Sequence, residues 1–217
     1  MAPEMNFDLY VDTSRKGISI ALAESKGTYL EIIDPMAKGE TLSASLDSLL
    51  SQADATLDDV KRVMVTVGPG SFSGLRTGVA FCEGICFSGK RKLFGVTTLQ
   101  ALECFGEIHE KTAVVTRARN SYWYLRLDES ESFIETSEVV EKIEKSNSVS
   151  SIKSIVVDES AAADETLKTL FNKIGVSVTL DVGKPLSCWA PLFDTVKPSL
   201  MQEANYIQPS YFEKLKA

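Results

Sequence analysis

The sequence has little histidine, and this shortage narrows the chemistry it can perform. His109 is the single histidine among 217 residues, and it lies in a polar stretch that we predict to be solvated. Serine–histidine–aspartate sites, cysteine–histidine sites and two-histidine metal sites all need histidine as a base or a ligand. The sequence therefore argues against peptidases and metallohydrolases.

Cysteine is also scarce. The chain has four cysteines, of which three lie in apolar segments. This usage indicates reduced core thiols rather than a disulfide framework. Cys82 and Cys86 stand four residues apart and could face one another on a helix, but a structural zinc site needs four ligands. We predict no metal site.

Surplus positive charge and long apolar runs are lacking too. The formal net charge is -7 and the pI is near 4.9, so the surface as a whole repels phosphate backbones, and we do not expect tight nucleic-acid binding by the chain alone. No apolar run approaches the ~20 residues that span a bilayer. Met1–Phe7 carries no basic segment followed by an apolar stretch. We expect a cytoplasmic protein without membrane contact.

What the sequence does contain is an alternation of strand and helix patterns. Asn6–Val11 and Gly17–Ala23 are β-rich runs separated by a polar turn, which predicts a hairpin, and Thr28–Ile33 predicts a third strand. Glu40–Ala53 carries leucines at the spacing of one helical face and predicts an amphipathic helix. Arg62–Val67 is rich in β-branched residues and predicts a buried strand.

A glycine loop, Gly68–Gly74, joins this strand to a predicted helix over Leu75–Ser88. A strand over Lys92–Val96 and a helix over Leu99–Phe105 follow. The second half repeats the β-first order. Its predicted strands are 112–116, 122–127, 154–157 and 177–180, and its predicted helices are 137–145, 165–174 and 190–201, before an extended tail over 205–212. This order of strands and helices predicts two α/β lobes. The first spans residues 5–105, and the smaller second lobe spans 106–217, with a tail that returns to the first lobe.

The glycine loop is the strongest local signal, because backbone amides at a strand-to-helix junction can bind an anion. Gly70 and Gly74 are too close together for a Walker A loop, and no lysine follows. Ser73 stands where a dinucleotide fingerprint needs its last glycine. Two interpretations stay open: an anion-binding loop, and a tight turn that needs glycine for its backbone.

Asp12-Thr13-Ser14 ends the first predicted strand, where actin-like phosphotransferases place a metal- or phosphate-handling loop. An aspartate-initiated hairpin turn is the alternative. A phosphotransferase of that fold also needs a glycine-rich loop in its second lobe, yet beyond Gly106 only Gly175 and Gly183 remain. This shortage weakens the kinase interpretation.

The predicted helix after the glycine loop carries apolar or small residues on nearly every face, with Arg76 and Glu83 as its only charges. Such a helix must be covered on two sides. Gly78 and Gly84 would let another helix approach closely. Burial inside its own lobe and an interface with another chain both stay open.

Basic and aromatic residues lie together in the second half, where Arg117, Arg119 and Asn120 precede Tyr122–Tyr124. Stacking aromatics beside arginines could contact nucleic acid. A β-hairpin with alternating aromatic pairs is the more ordinary interpretation.

The sequence around the glycine loop resembles that of a known family. Gly68-Pro69-Gly70-Ser71-Phe72-Ser73-Gly74-Leu75-Arg76-Thr77-Gly78 is similar to the GPGSFTGLRIG loop of the TsaB (YeaZ) family. The Asp12-Thr13-Ser14 turn, Gly95–Leu99 and Arg117–Tyr124 fall in the family's order, so the resemblance covers roughly the first 125 residues. The chain departs from the family in reading Arg117-Ala118-Arg119 where aspartate often precedes Ala-Arg, and it lacks the family's His-Ser at the start of the first helix.

The resemblance implies a two-lobed α/β fold of the ASKHA (actin-like, ribonuclease H-like) class, with mixed sheets flanked by helices. It implies a non-catalytic subunit of the complex that makes N6-threonylcarbamoyladenosine at position 37 of tRNA. The catalytic subunit would be TsaD, the ATPase TsaE would join the complex, and tRNA would be reached through it. The chain alone could form a homodimer. No intrinsic cofactor is implied, although ATP or another nucleotide could lie at the partner interface.

Site residues follow from the same resemblance, with no catalytic residue and no metal ligand among them. We predict the partner interface at Leu42, Leu46, Leu49, Leu50, Leu75, Gly78, Phe81, Cys82, Gly84 and Ile85. We predict the nucleotide or anion loop at Asp12, Thr13, Ser14, Gly68, Gly70, Ser71, Gly74 and Arg76. The alternatives are an autonomous ATP-binding protein or small-molecule phosphotransferase of the actin-like fold, and a protein that only self-associates.

Overall fold

The computed structural model describes residues 6–24, 27–106, 111–150 and 152–207. These residues form two compact units. The first contains residues up to 98 together with 185–205, and the second contains residues 99–184 together with 206–207. No helix among the described residues is both long and apolar enough to cross a bilayer.

The sheet of the first unit has five strands in the order β3-β2-β1-β4-β5. Its strands are β1 Phe7–Asp12, β2 Ile18–Glu24, β3 Tyr29–Asp34, β4 Val60–Thr66 and β5 Lys92–Val96. β1 pairs antiparallel with β2, as the hairpin pattern predicted, and β2 pairs antiparallel with β3. On the other side of β1 the sheet continues in parallel through β4 to β5.

Two helices cover one face of this sheet. They are α1, Leu42–Gln52, and α2, Phe72–Cys86. Short 3-10 turns at Gly39–Thr41 and Leu57–Asp59 precede α1 and β4. The leucine face of α1 and one face of α2 pack on alternate residues of β1, β2 and β4 in a single apolar core.

The second unit repeats the topology of the first. Its sheet has the order β10-β9-β6-β7-β8. Its strands are β6 Thr112–Arg119, β7 Tyr122–Leu127, β8 Ser130–Glu135, β9 Ser154–Val157 and β10 Ser177–Leu180. Again the first strand lies in the centre, with an antiparallel pair on one side and a parallel pair on the other.

Four further helices lie between residues 98 and 174. They are α3 Thr98–Glu103, α4 Thr136–Ser150, α5 Glu159–Ala163 and α6 Glu165–Ile174. α4, α5 and α6 contribute to a second apolar core. Two mixed five-stranded sheets of one repeated topology, each flanked by helices, confirm the fold class that the sequence predicted.

The segment Leu186–Asn205, which we call the strap, covers the other face of the first sheet. It begins with a 3-10 turn, Leu186–Trp189, and one turn of helix, α7, Leu192–Thr195. The Phe193 ring lies edge-on to Phe94 at 4.9 Å and tilted against Tyr10 at 5.7 Å between ring centroids. The predicted helix over 190–201 is therefore wrong beyond its first turn, since Val196 is already extended and Pro198 disfavours helix in the residue before it.

Candidate functional site

The glycine loop and the Asp12 turn lie against each other in the first unit. Gly68 has a φ of 112°, which favours glycine, and the Gly68–Pro69 peptide bond is cis. The amide of Ser71 donates to the carbonyl oxygen of Ser14 at 2.6 Å. The loop is therefore joined to the β1–β2 turn by the chain's own backbone.

Three glycines allow this close approach. A Cβ on Gly70 would lie within 3.0 Å of the Ser14 carbonyl oxygen, and one on Gly74 would come equally close to the carbonyl oxygen of Thr13. A Cβ on Gly78 would overlap the Thr13 hydroxyl. The glycines thus have a packing role inside the chain, which agrees with the tight-turn interpretation. An anion site at this loop stays a prediction.

The Asp12 carboxylate is buried at the end of β1 and its oxygens are occupied. Oδ1 accepts hydrogen bonds from the Ser14 amide at 2.9 Å, from the Ser14 hydroxyl at 2.6 Å and from the Thr66 hydroxyl at 2.8 Å. Oδ2 accepts from Arg15 Nε at 3.3 Å. This geometry is that of an aspartate that fixes a hairpin turn and ties it to β4.

Most residues of the predicted partner interface lie in the core and do not form a surface. Leu42, Leu46, Leu49 and Leu50 are at most 7% exposed, and so are Leu75 and Cys82. Gly78 faces Thr13 of its own chain and is buried. For these residues the prediction of a contact surface is wrong, because an amphipathic leucine face is covered by its own sheet. Phe81 and Ile85 are half-buried and Gly84 is exposed.

The two helical cysteines behave as core residues. Burial raises the pKa of the Cys82 thiol well above its ordinary value, and burial raises the pKa of Cys86 to about 11. Thiols with such pKa values stay protonated at neutral pH and are poor nucleophiles and poor metal ligands. Within the described residues no group of three His, Cys, Asp or Glu side chains could hold a metal ion. His109 lies outside those residues.

The surface of α2 that points away from its sheet is largely absent from the predicted partner interface, which contained only Gly84 of it. We call it the α2 outer face, and it consists of Phe72, Arg76, Thr77, Ala80, Gly84 and Phe87, all of them exposed. Phe72 is 59% and Phe87 is 80% exposed, and nothing lies within 4 Å of the position of a Cβ on Gly84. The face therefore has a large apolar ring at each end and the small residues Ala80 and Gly84 between them, and the Arg76 guanidinium lies over the Phe72 ring at 4.9 Å. The sequence signal was present as the spacing of Phe72, Ala80 and Phe87.

The basic and aromatic residues of the second unit belong to the β6–β7 hairpin and its neighbour β8. The Arg117 guanidinium lies over the Trp123 ring at 4.1 Å. Tyr122 stacks on Phe133 at 4.7 Å, and Arg119 lies over the same ring at 5.4 Å. The predicted hairpin is present between β6 and β7. The aromatic pairs lie between β7 and β8, a strand that the sequence did not predict.

Comparison with known proteins gives the family. Residues 37–185 match the family model described as TsaD, tRNA N6-adenosine threonylcarbamoyltransferase. The chain belongs to this family. Within it, several curated relatives carry the name tRNA threonylcarbamoyladenosine biosynthesis protein TsaB, which confirms the resemblance to the TsaB (YeaZ) group.

Two of these relatives show how far the similarity reaches. TsaB of Bacillus subtilis is 30% identical over 45% of this chain and 44% of its own length. TsaB of Buchnera aphidicola is 28% identical over 63% of this chain and 72% of its own length. The chain thus aligns with less than half of the Bacillus protein.

Solved structures support the fold. YeaZ from Pseudomonas aeruginosa superposes with a TM-score of 0.65 at 20% identity, over 95% of this chain and 100% of that one. A Pseudomonas protein described as similar to peptidase YEAZ gives a TM-score of 0.68 at 20% identity, over 94% and 100% of the two chains. At this identity the likeness concerns the fold alone.

Proposed function

We propose that this chain is a non-catalytic subunit of the complex that synthesises N6-threonylcarbamoyladenosine in tRNA. In this role it binds a TsaD-type catalytic subunit through the α2 outer face and positions or activates it. The catalytic subunit transfers the threonylcarbamoyl group to adenosine 37. The single observation that carries the proposal is the exposed face of α2, with a phenylalanine at each end, and Ala80 and Gly84 among the residues between them.

The shape of this face suits a helix of another chain. Helices pack with their axes about 8–10 Å apart, and small residues allow the closer end of that range. Ala80 and Gly84 supply such a small-residue centre. Phe72 and Phe87 supply exposed aromatic area, which is the kind of side chain that contributes most to binding energy at interfaces. Single exposed apolar residues are common on surfaces, whereas here two exposed phenylalanines lie fifteen residues apart along the same side of one helix.

The Asp12 region supports a role without chemistry. Its carboxylate already accepts four hydrogen bonds from the same chain. A phosphoryl-transfer site needs such a carboxylate free to reach a metal ion or the attacking group. Any nucleotide in the complex would then lie at the boundary with the catalytic subunit, where a TsaE-type ATPase would also act. This role places the chain in the cytoplasm with tRNA.

Reconstitution tests the proposal. The purified chain is mixed with a TsaD-type subunit and analysed by size-exclusion chromatography with light scattering, alone and together. We expect a heterodimer that replaces any homodimer, and threonylcarbamoyl transfer to tRNA only when both subunits are present.

A Phe87→Asp variant tests the docking face in the same experiment. It should lose the heterodimer while keeping its melting temperature, since Phe87 is exposed. ATP turnover by the chain alone, abolished by Asp12→Ala, would overturn the proposal and favour a phosphotransferase. A homodimer that the catalytic subunit does not displace would overturn it in favour of self-association.

A further inference from the structure

The end of the strap, Ser199–Asn205, runs beside the helix that carries the proposed docking face. Its Ser199 amide donates to the Leu93 carbonyl oxygen on β5 at 2.9 Å. Its Asn205 amide donates to the Val67 carbonyl oxygen at 2.7 Å, directly before the glycine loop. Between these two anchors, the Gln202 amide donates to Glu83 Oε1 of α2 at 2.9 Å. The strap is therefore fixed to β5, to α2 and to the start of the loop.

Glu83 lies at the border of the α2 outer face. It is half-buried, three residues after Ala80 and four before Phe87, so its side chain neighbours both on the helix surface. The hydrogen bond from Gln202 reaches this border. The strap residue next to it, Met201, is 75% exposed. An exposed apolar residue of the strap thus directly precedes the residue whose amide is bound to Glu83.

The backbone around Met201 is held in place on both sides. The Ser199 hydroxyl donates to the Met201 carbonyl oxygen at 2.9 Å. Gln202 Nε2 donates to the Ser199 carbonyl oxygen at 2.6 Å, and the side-chain oxygen of Gln202 lies against Gly95, where a Cβ would collide with it. These hydrogen bonds hold the backbone that carries the exposed Met201 side chain in one position.

We propose that Met201 is a contact residue for the same catalytic subunit that docks on the α2 outer face, and that Glu83 positions it through the Gln202 amide. The inference rests on the proposed function and extends its surface from one helix to the helix and the strap. Methionine suits this task because its flexible thioether adapts to an irregular partner surface. The hydrogen bonds of the strap to β5 and to Val67 hold the segment around Met201 against the folded unit.

The first experiment compares charge placed at two exposed apolar positions. Met201→Asp and Val182→Asp are each titrated with the catalytic subunit by isothermal calorimetry. Val182 is 55% exposed in the second unit and serves as the matched control. We expect Met201→Asp to weaken binding by at least about tenfold, and Val182→Asp to stay within about twofold of the wild type. Wild-type affinity for Met201→Asp overturns the inference.

The second experiment tests the positioning role of Glu83. Glu83→Ala removes the acceptor of the Gln202 amide, while Glu83→Gln keeps an oxygen that can accept. Glu83→Ala should weaken binding and Glu83→Gln should restore most of the affinity. In a Met201→Asp background Glu83→Ala should have little further effect, because the two changes act through one contact. Full additivity of the two losses contradicts the positioning role.

The outcomes separate this inference from the proposed function. If Phe87→Asp abolishes the heterodimer and Met201→Asp does not, the strap inference fails and the subunit role stands. If the wild type forms no heterodimer, the subunit role itself fails. If the heterodimer forms and neither variant weakens it, both the α2 docking face and the strap inference fail. Weakening by both, with the Val182→Asp control unaffected, supports a surface made of helix and strap.

Discussion

The hydroxyl of Thr13 faces Gly78 so closely that a Cβ on this glycine would lie within 3.0 Å of the threonine oxygen. The lack of a side chain at Gly78 therefore lets α2 pack closely against the turn between β1 and β2. The sequence had suggested that Gly78 admits a partner helix, and the structure shows that its own chain takes that place. Gly84, two turns later on the exposed side, has open space around it.

These two glycines predict opposite responses to the same substitution. Gly78→Ala should destabilise the fold by about 1–3 kcal/mol, because the added methyl overpacks a buried contact with Thr13. Gly84→Ala should be neutral or stabilise by up to ~1 kcal/mol, because alanine is the better helix former at an exposed position. Urea denaturation of both variants measures the difference. Equal destabilisation by the two would contradict the assigned packing.

Asp12 should matter more than a similar aspartate in an exposed turn. Asp12→Ala leaves the hydroxyls of Ser14 and Thr66 without their acceptor in a buried site, and we expect a loss of about 2–3 kcal/mol. Asp34 accepts the amides of Met36 and Ala37 in the same way but is exposed, so Asp34→Ala should cost about 0.5–1.5 kcal/mol. Guanidinium denaturation gives both values. A smaller loss at Asp12 than at Asp34 would show that the carboxylate is not a structural anchor.

The buried thiols predict a dependence of stability on alkaline pH. Burial raises the pKa of Cys86 to about 11 in the folded chain, above its ordinary value of 9.0, so folding favours the protonated thiol. The resulting stability is fully present below about pH 9 and is lost as the pH rises through about 11. Cys86→Ala should lack this part of the decline, which thermal melts between pH 7 and pH 11 would show.

Labelling with a thiol reagent checks the same prediction. At pH 8 the native chain should leave Cys82 and Cys86 unmodified, since both are buried and their pKa values are raised. The unfolded chain in guanidinium should react at both positions, as peptide mapping by mass spectrometry would show. Rapid modification of either cysteine in the native chain contradicts the burial of this face of α2.

The sequence predicted the local units of the first half well. The Asp12 turn, the strand before Gly68 and the helix after it follow from turn chemistry and periodicity, which act over a few residues. α2 begins at Phe72 rather than at Leu75, because the Ser71 hydroxyl accepts a hydrogen bond from the Gly74 amide and caps the helix.

The sequence analysis missed strand β8, Ser130–Glu135. Its residues alternate weakly, and its pairing with β7 is a tertiary contact that local patterns do not reveal.

The candidate site was predicted less well, for a physical reason. An apolar residue on a helix can face either its own sheet or another chain, and the sequence pattern is the same in both cases. Leu46 and Cys82 proved to face the sheet, while Ala80 and Phe87 face outward. Met201 could not be linked to α2 from sequence, because the hydrogen bond between Gln202 and Glu83 joins residues 119 positions apart.

The central claim is that the α2 outer face binds the catalytic subunit, and Gly84 offers its most direct test. Calorimetry compares Gly84→Leu with Gly84→Ala, both at a position with open space around it. We predict that the leucine lowers the affinity for a TsaD-type subunit by at least about tenfold, or ~1.4 kcal/mol, while the alanine stays within about threefold of the wild type. Both variants should keep the wild-type melting temperature or exceed it. Wild-type affinity for Gly84→Leu would contradict the claim.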